Sequence, residues 1–187
     1  PTNSPTTNYA GVALDGSNWS GTAGGVSRAR INNLRISGFV TGIAVTQVVD
    51  TKISKCYVQQ PIVYSSTSYN GYHIGYHFIG DVASAGGMSP LASTVLNECS
   101  ADMSGTKNYT WSSSNDFLSF GFFLDGDDIR DISFYGCETV HAENGWKLQT
   151  TNSDDNWNIR INDSINDTFK GNAIRINALN GTGAVSI

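Results

Sequence analysis

GFFLDG, residues 121–126, has an echo near the start of the chain: GVALDG, residues 11–16. A glycine, a short apolar run and an Asp-Gly pair, written twice at such a distance, signal a repeat before they signal chemistry. In a glycine-rich chain self-similarity is the first property to trace. Four more copies of the opening phrase follow: GIAV at 42–45, GYHF at 75–78, GWKL at 145–148 and, more loosely, GNAI at 171–174. The glycines Gly11, Gly42, Gly75, Gly121, Gly145 and Gly171 are spaced by 31, 33, 46, 24 and 26 residues.

A second phrase falls between the copies of the first. It reads NLRISGF at 33–39, DTKISKC at 50–56, STVLNEC at 93–99, DISFYGC at 131–137 and NIRINDS at 158–164. Alternation of period two turns Leu34 and Ile36 inward and Arg35 outward, and the other copies keep that parity. Cys56, Cys99 and Cys137 all fall on the last position of this phrase. Three cysteines cannot all pair with one another, and none has the close CxxC partner that lets two thiolates grip one zinc. They read as small buried hydrophobes.

A unit of two or three short strands recurring every ~25 residues cannot bury its apolar face alone, whereas a stack of such units can. The expected fold is therefore all-β: a right-handed parallel β-helix of about six coils, spanning residues 1–187 as one domain. Phe39, Cys56, Cys99 and Cys137 are expected to stack inside it, with Asn33, Asp50, Asp131 and Asn158 at one corner, where Asn and Asp side chains can bond the turn backbone. The aspartates of the two Asp-Gly pairs, Asp15 and Asp125, sit where strands end. A β-sandwich is the competing fold.

The composition agrees. Of the 187 residues only 14% are charged, and no helical heptads appear. The net charge of −5 and the scatter of the 11 basic residues speak against a nucleic-acid partner, since binding phosphates takes clustered Lys and Arg. No run of ~18 apolar residues exists to enter a membrane. The first residues, PTNSPTTNYAG, lack the basic start and apolar centre of a signal peptide. A chain that opens on Pro rather than Met reads as a fragment of something longer.

The coils are unequal. From the last residue of the second phrase to the next glycine the chain uses 3, 19, 22, 8 and 7 residues in turn. The two long insertions, YVQQPIVYSSTSYNGYHI at 57–74 and SADMSGTKNYTWSSSNDFLSF at 100–120, belong to neighbouring coils and so to one face. Loops of this length inside a repeat are surplus to the scaffold and usually functional. Rings beside hydroxyl and amide groups suit sugars, so Tyr64, Tyr69, Tyr72, Tyr109 and Trp111 form the candidate binding platform.

RINNLRISGFVTGIAV, FFLDGDDIRDISFYGCETVHAENGWKLQT and NWNIRINDSINDTFKGNAIRI together resemble the pectate-lyase-like right-handed β-helices of bacteriophage tailspikes and neck appendages. The resemblance covers roughly residues 10 to 180. It implies a homotrimer on the phage tail that acts outside the cell, binds a bacterial surface polysaccharide as host attachment requires, and often depolymerises it by carboxylate-based hydrolysis or by lyase elimination. Two other functions stay open: a non-catalytic receptor-binding or structural shaft of a tail fibre, and a cellular polysaccharide lyase or glycosidase.

Glycoside hydrolysis needs two carboxyl groups ~5 to 9.5 Å apart, and strands ~4.8 Å apart can supply them from adjacent coils. Glu138 follows the inward Cys137 and should point outward, which makes it the first candidate acid or base. Glu143 and Asp102 come next, Asp116 shares the coil of Asp102, and His141 lies between the two glutamates as a substrate-binding candidate. Asp125, Asp127 and Asp128 place three carboxylates in four residues. They suit a turn, a Ca²⁺ site built from oxygen ligands, or a catalytic pair made of Asp125 and Asp128. No cofactor is otherwise expected, and no dedicated metal motif is present. Lys147, Arg130 and Arg160 are the cations a lyase could use against a uronate carboxylate.

Overall fold

The computed structural model describes residues 10–16, 27–59, 73–80, 91–103, 119–126, 129–149, 156–167, 171–177 and 182–187. The described residues contain strands and no helix, and no helix long and apolar enough to cross a membrane. Among the described residues seventeen strands run in chain order through three sheets.

The first sheet holds β1 (Ala10–Asp15), β4 (Thr41–Thr46), β7 (His73–Ile79), β10 (Ser119–Asp125), β13 (Asn144–Gln149) and β16 (Asn172–Asn177), side by side in that order. In the second sheet β2 (Arg30–Asn32), β5 (Lys52–Ser54), β8 (Leu91–Asn97), β11 (Ile129–Tyr135), β14 (Asn156–Asn162) and β17 (Thr182–Ser186) follow one another likewise. The third sheet consists of β3 (Arg35–Ser37), β6 (Tyr57–Gln59), β9 (Ser100–Asp102), β12 (Glu138–Val140) and β15 (Ile165–Asp167). Every third strand thus returns to the same sheet, and every ladder is parallel. Parallel neighbours need long crossovers rather than hairpins, and here two strands of the other sheets form each crossover.

The first phrase maps onto the first sheet. Asp15 and Asp125 lie in one column, through Thr46 and Ile79, so the two Asp-Gly pairs are equivalent positions on different strands. Glycine opens this phrase because the chain there has no room for a side chain. A Cβ on Gly42 would lie 2.6 Å from the carbonyl oxygen of Gly75, and one on Gly75 would lie 2.6 Å from that of Gly121 and from the Ala101 methyl of the third sheet. The sixth copy is offset by two residues from its expected place. Register pairs Trp146 with Ile174, which puts Ala173, not Gly171, in the glycine column.

The second phrase is in register from its second copy onward, and its first copy is not. Ile31 pairs with Ile53, and Arg35 with Tyr57. RARINNL, residues 28–34, is therefore the true first copy, and Leu34 holds the place of Cys56. Phe39 is 43% exposed instead of stacked inside, while Leu34 packs on the core. Similar spelling, RIS against KIS, hid a shift of strand and of sheet. The corner changes with it: Arg28, Asp50, Ser93 and Asp131 share left-handed φ values of 52–59°. Asn33 instead joins the next corner, with Lys55, Glu98, Gly136 and Asp163. Asn158 does stand beside Asp131, donating to its carboxylate at 3.0 Å.

Cys56, Cys99 and Cys137 are free, buried and adjacent, as the phrase predicts. A hydrogen bond with the neighbouring Cys137 thiol, followed by burial, pushes the Cys99 thiol up, so it stays protonated. Beside them Tyr76, Phe122 and Trp146 stack at centroid separations of 4.8 and 5.2 Å, each such pair adding about 0.5–1.5 kcal/mol beyond area burial.

Candidate functional site

The outer face of the third sheet is organised by the residue that follows each inward cysteine. Arg35, Tyr57, Ser100, Glu138 and Ile165 form one outward column. Two residues along, Ser37, Gln59, Asp102, Val140 and Asp167 form the next. Ile36, Val58, Ala101 and Thr139 between them are buried. Strand alternation alone therefore points Tyr57, Asp102 and Glu138 to the same side.

Each of them meets a neighbour on this face. The Tyr57 hydroxyl donates to Asp102 Oδ2 at 3.2 Å, and His141 Nδ1 lies 3.9 Å from Asp102 Oδ1. Ser100 Oγ donates to Glu138 Oε2 at 3.3 Å. At the head of the column Arg35 spans the Tyr57 ring at 5.2 Å and donates to Gln59 at 2.6 Å. Burial, followed by the Asp102 carboxylate, pushes the Tyr57 phenol up, so it keeps its proton for Asp102. The Asp102 and His141 side chains are 16% and 33% exposed, covered enough to be held and open enough to meet a ligand.

His141 has a φ of 56°, in the left-handed region where its counterpart after the first strand of this sheet is Gly38. Left-handed backbone at a bulky residue is costly and recurs at functional sites. It turns the imidazole at the end of β12 back toward Asp102 on β9.

Of the predicted site residues, Asp102, Glu138 and His141 are thus brought onto one face. Glu143 lies one step further on: its N–H donates to Ser119 Oγ at 2.8 Å, and its side chain runs beside Gly171. Asp125 belongs to another sheet. Its carboxylate is 3.6 Å from Nε2 of buried His77, and His77 stacks on Phe123 at 5.0 Å. The Lys147 ammonium sits 4.7 and 4.8 Å from the Phe123 and Phe120 rings. Burial pulls the Lys147 pKa down, against the opposing pull of Asp125. Arg130 and Arg160 lie on the second sheet, apart from both clusters.

Tyr64, Tyr69, Tyr72, Tyr109, Trp111, Asp116, Asp127 and Asp128 lie outside the described residues. The proposed calcium triad is therefore described only at Asp125. Among the described residues no group of three His, Cys, Asp or Glu side chains converges as a metal site. Both long insertions leave from the ends of neighbouring strands β6 and β9, beside Asp102, and re-enter at neighbouring strands β7 and β10.

Sequence reasoning missed Tyr57 and Ser100, although the signal was present: each follows a cysteine, as Glu138 does. It also missed His77, whose link to Asp125 crosses 48 residues of chain and is set only by register. In comparisons with family models, with curated proteins and with solved structures, nothing matches this chain.

Proposed function

We propose that the chain is a right-handed parallel β-helix that binds a bacterial surface polysaccharide and cleaves it with the carboxyl groups of Asp102 and Glu138. The three-strand periodicity supports the solenoid, and the strong preference of parallel crossovers for one hand supports its handedness. The observation that carries the function is the meeting of Tyr57, Asp102 and His141 at the root of both long insertions, with Glu138 on the neighbouring strand of the same face.

The chemistry follows from that geometry. Asp102 and Glu138 stand on neighbouring strands two residues out of register, which puts their Cα atoms about 8 Å apart. An inverting pair holds its carboxyl groups ~6.5 to 9.5 Å apart to leave space for a water, and side chains from these two positions can span that range. A phenol donating to Asp102 favours its ionised form, so Asp102 is the base that takes a proton from water. Glu138 is placed as the acid that protonates the departing glycosidic oxygen as its C–O bond breaks and the water oxygen bonds to the anomeric carbon. The aromatic and hydroxyl-rich insertions suit the sugar rings on either side. The resemblance to tailspikes supports capsule or O-antigen as the substrate class, a homotrimer as the assembly, and the virion as the place of action.

The test is incubation of the purified chain with bacterial capsule, O-antigen and teichoic-acid preparations, reading binding and oligosaccharide release separately. Release that is lost in Glu138→Gln and Asp102→Asn while binding persists is the expected result. Release that is unchanged in both variants overturns the assignment. Unsaturated products, seen by their ultraviolet absorbance, would mark elimination instead, and binding without release would mark a recognition shaft.

A further inference from the structure

We infer that Arg35 is an anion subsite that takes the carboxylate of an acidic sugar in the bound polysaccharide; this rests on the reading of the third-sheet face as the glycan site. The strands of that sheet read RIS, YVQ, SAD, ETV and IND, so Arg35 is the cation among them. Asp102, Glu138 and Asp167 give the rest of the face negative charge.

The Arg35 side chain is held in place without being neutralised. Its guanidinium lies 5.2 Å from the centre of the Tyr57 ring and donates to Gln59 Oε1 at 2.6 Å. Two other exposed cations meet carboxylates: Arg30 is 3.2 Å from Asp50, and Lys55 is 3.8 Å from Glu98. Arg35 meets a neutral amide and a ring instead, with no carboxylate paired to it among the described residues. A guanidinium presents five N–H donors in a planar fork that matches the two oxygens of a carboxylate. Gln59 accepts from one arm, so the remaining donors are fixed in direction before a ligand arrives. Pre-organisation of this kind removes part of the ordering cost of binding.

Charge then sets where the acidic unit goes. Arg35 and Glu138 share one outward column three strands apart, about 14 Å at the usual strand spacing. Asp102 and Glu138 repel an anionic sugar at the point of cleavage, and Arg35 attracts it. A polymer laid along the column therefore seats its acidic unit at Arg35 and a neutral unit between the carboxylates, which fixes the bond that is cut. The chain's net charge of −5 supplies no general attraction for polyanions, so a preference for an acidic polymer has to come from a particular cation.

The experiment measures binding of a set of uronate-containing capsular polysaccharides, each intact and with its carboxyl groups reduced to alcohols, at one ionic strength. Wall teichoic acid serves as the phosphate counterpart. For the capsule it binds, the wild type is expected to hold the intact polymer at least about tenfold tighter than the reduced one, the scale of a charge-assisted hydrogen bond. Arg35→Gln should erase that ratio and leave the affinity for the reduced polymer unchanged. Arg35→Lys, a point charge without the fork, should keep only part of it. Equal affinity of the wild type for both forms overturns the inference, as does a ratio that survives in Arg35→Gln at an unchanged thermal midpoint. Tighter binding of teichoic acid than of any uronate polymer overturns the carboxylate assignment. Failure of the wild type to bind any glycan removes the glycan reading and the subsite with it. If Asp102→Asn and Glu138→Gln leave release untouched while the ratio still depends on Arg35, the cleavage assignment fails and the subsite stands.

Discussion

The outer faces of the first and third sheets carry the same kinds of residue in opposite settings. On the first sheet, His77, Asp125 and Lys147 gather around Phe120 and Phe123, and His77, Lys147 and both rings are nearly inaccessible. On the third sheet, Tyr57, Asp102 and His141 gather, with Glu138 one strand on, and all four are partly accessible. A titratable cluster is not a site by virtue of its members. The first cluster's charges lie on aromatic rings in a packed layer, where they hold neighbouring strands in register. The second presents its acceptor groups to solvent beside two insertions.

The sharpest test of this contrast is on the third sheet. Asp102→Asn and Glu138→Gln should each lower glycan release by at least about 100-fold, the usual scale for a lost acid or base, with the thermal midpoint preserved. On the first sheet the balance should reverse. Phe123→Ala should cost about 3–5 kcal/mol in denaturant unfolding and leave glycan binding by the folded protein intact. Loss of binding at constant stability would erase the distinction between the two faces.

Tyr57→Phe is a smaller perturbation. Stability should fall by about 1 kcal/mol or less, while the acid limb of the pH–rate profile moves upward, because Asp102 loses a donor that favours its charged form. An unmoved limb would detach Tyr57 from the chemistry. The smallest expected effect concerns Lys147, whose pKa burial lowers from 10.5. The unfolded chain then binds more protons between the folded pKa and 10.5, so folding gains stability with rising pH across that window. Compared with Lys147→Met, the wild type should become relatively more stable as pH climbs from neutral toward 10.5. The reverse slope would mean that the ammonium is stabilised where it lies.

The strand phrases and their order were legible in the residues. Glycine columns, inward cysteines and outward charges are local consequences of alternation and of how closely strands can approach. That is why GVAL, GIAV, GYHF, GFFL and GWKL land in one sheet. The errors fell where local spelling was ambiguous. RIS at 35–37 resembles KIS at 52–54, yet the two strands belong to different sheets, because pairing depends on how many residues each turn consumes. GNAI carries a glycine two residues before the column it was assigned to.

By itself the sequence determined the all-β class, the repeat, the burial of the three cysteines and the outward direction of Glu138 and Asp102. These follow from period-two alternation, which any strand obeys regardless of its neighbours. Only the tertiary structure decided that Tyr57 reaches Asp102 across 45 residues, that His141 turns back to join them, and that Asp125 is turned toward a buried histidine. Those pairings depend on the register between strands distant in the chain, and register is set by the summed lengths of every intervening turn.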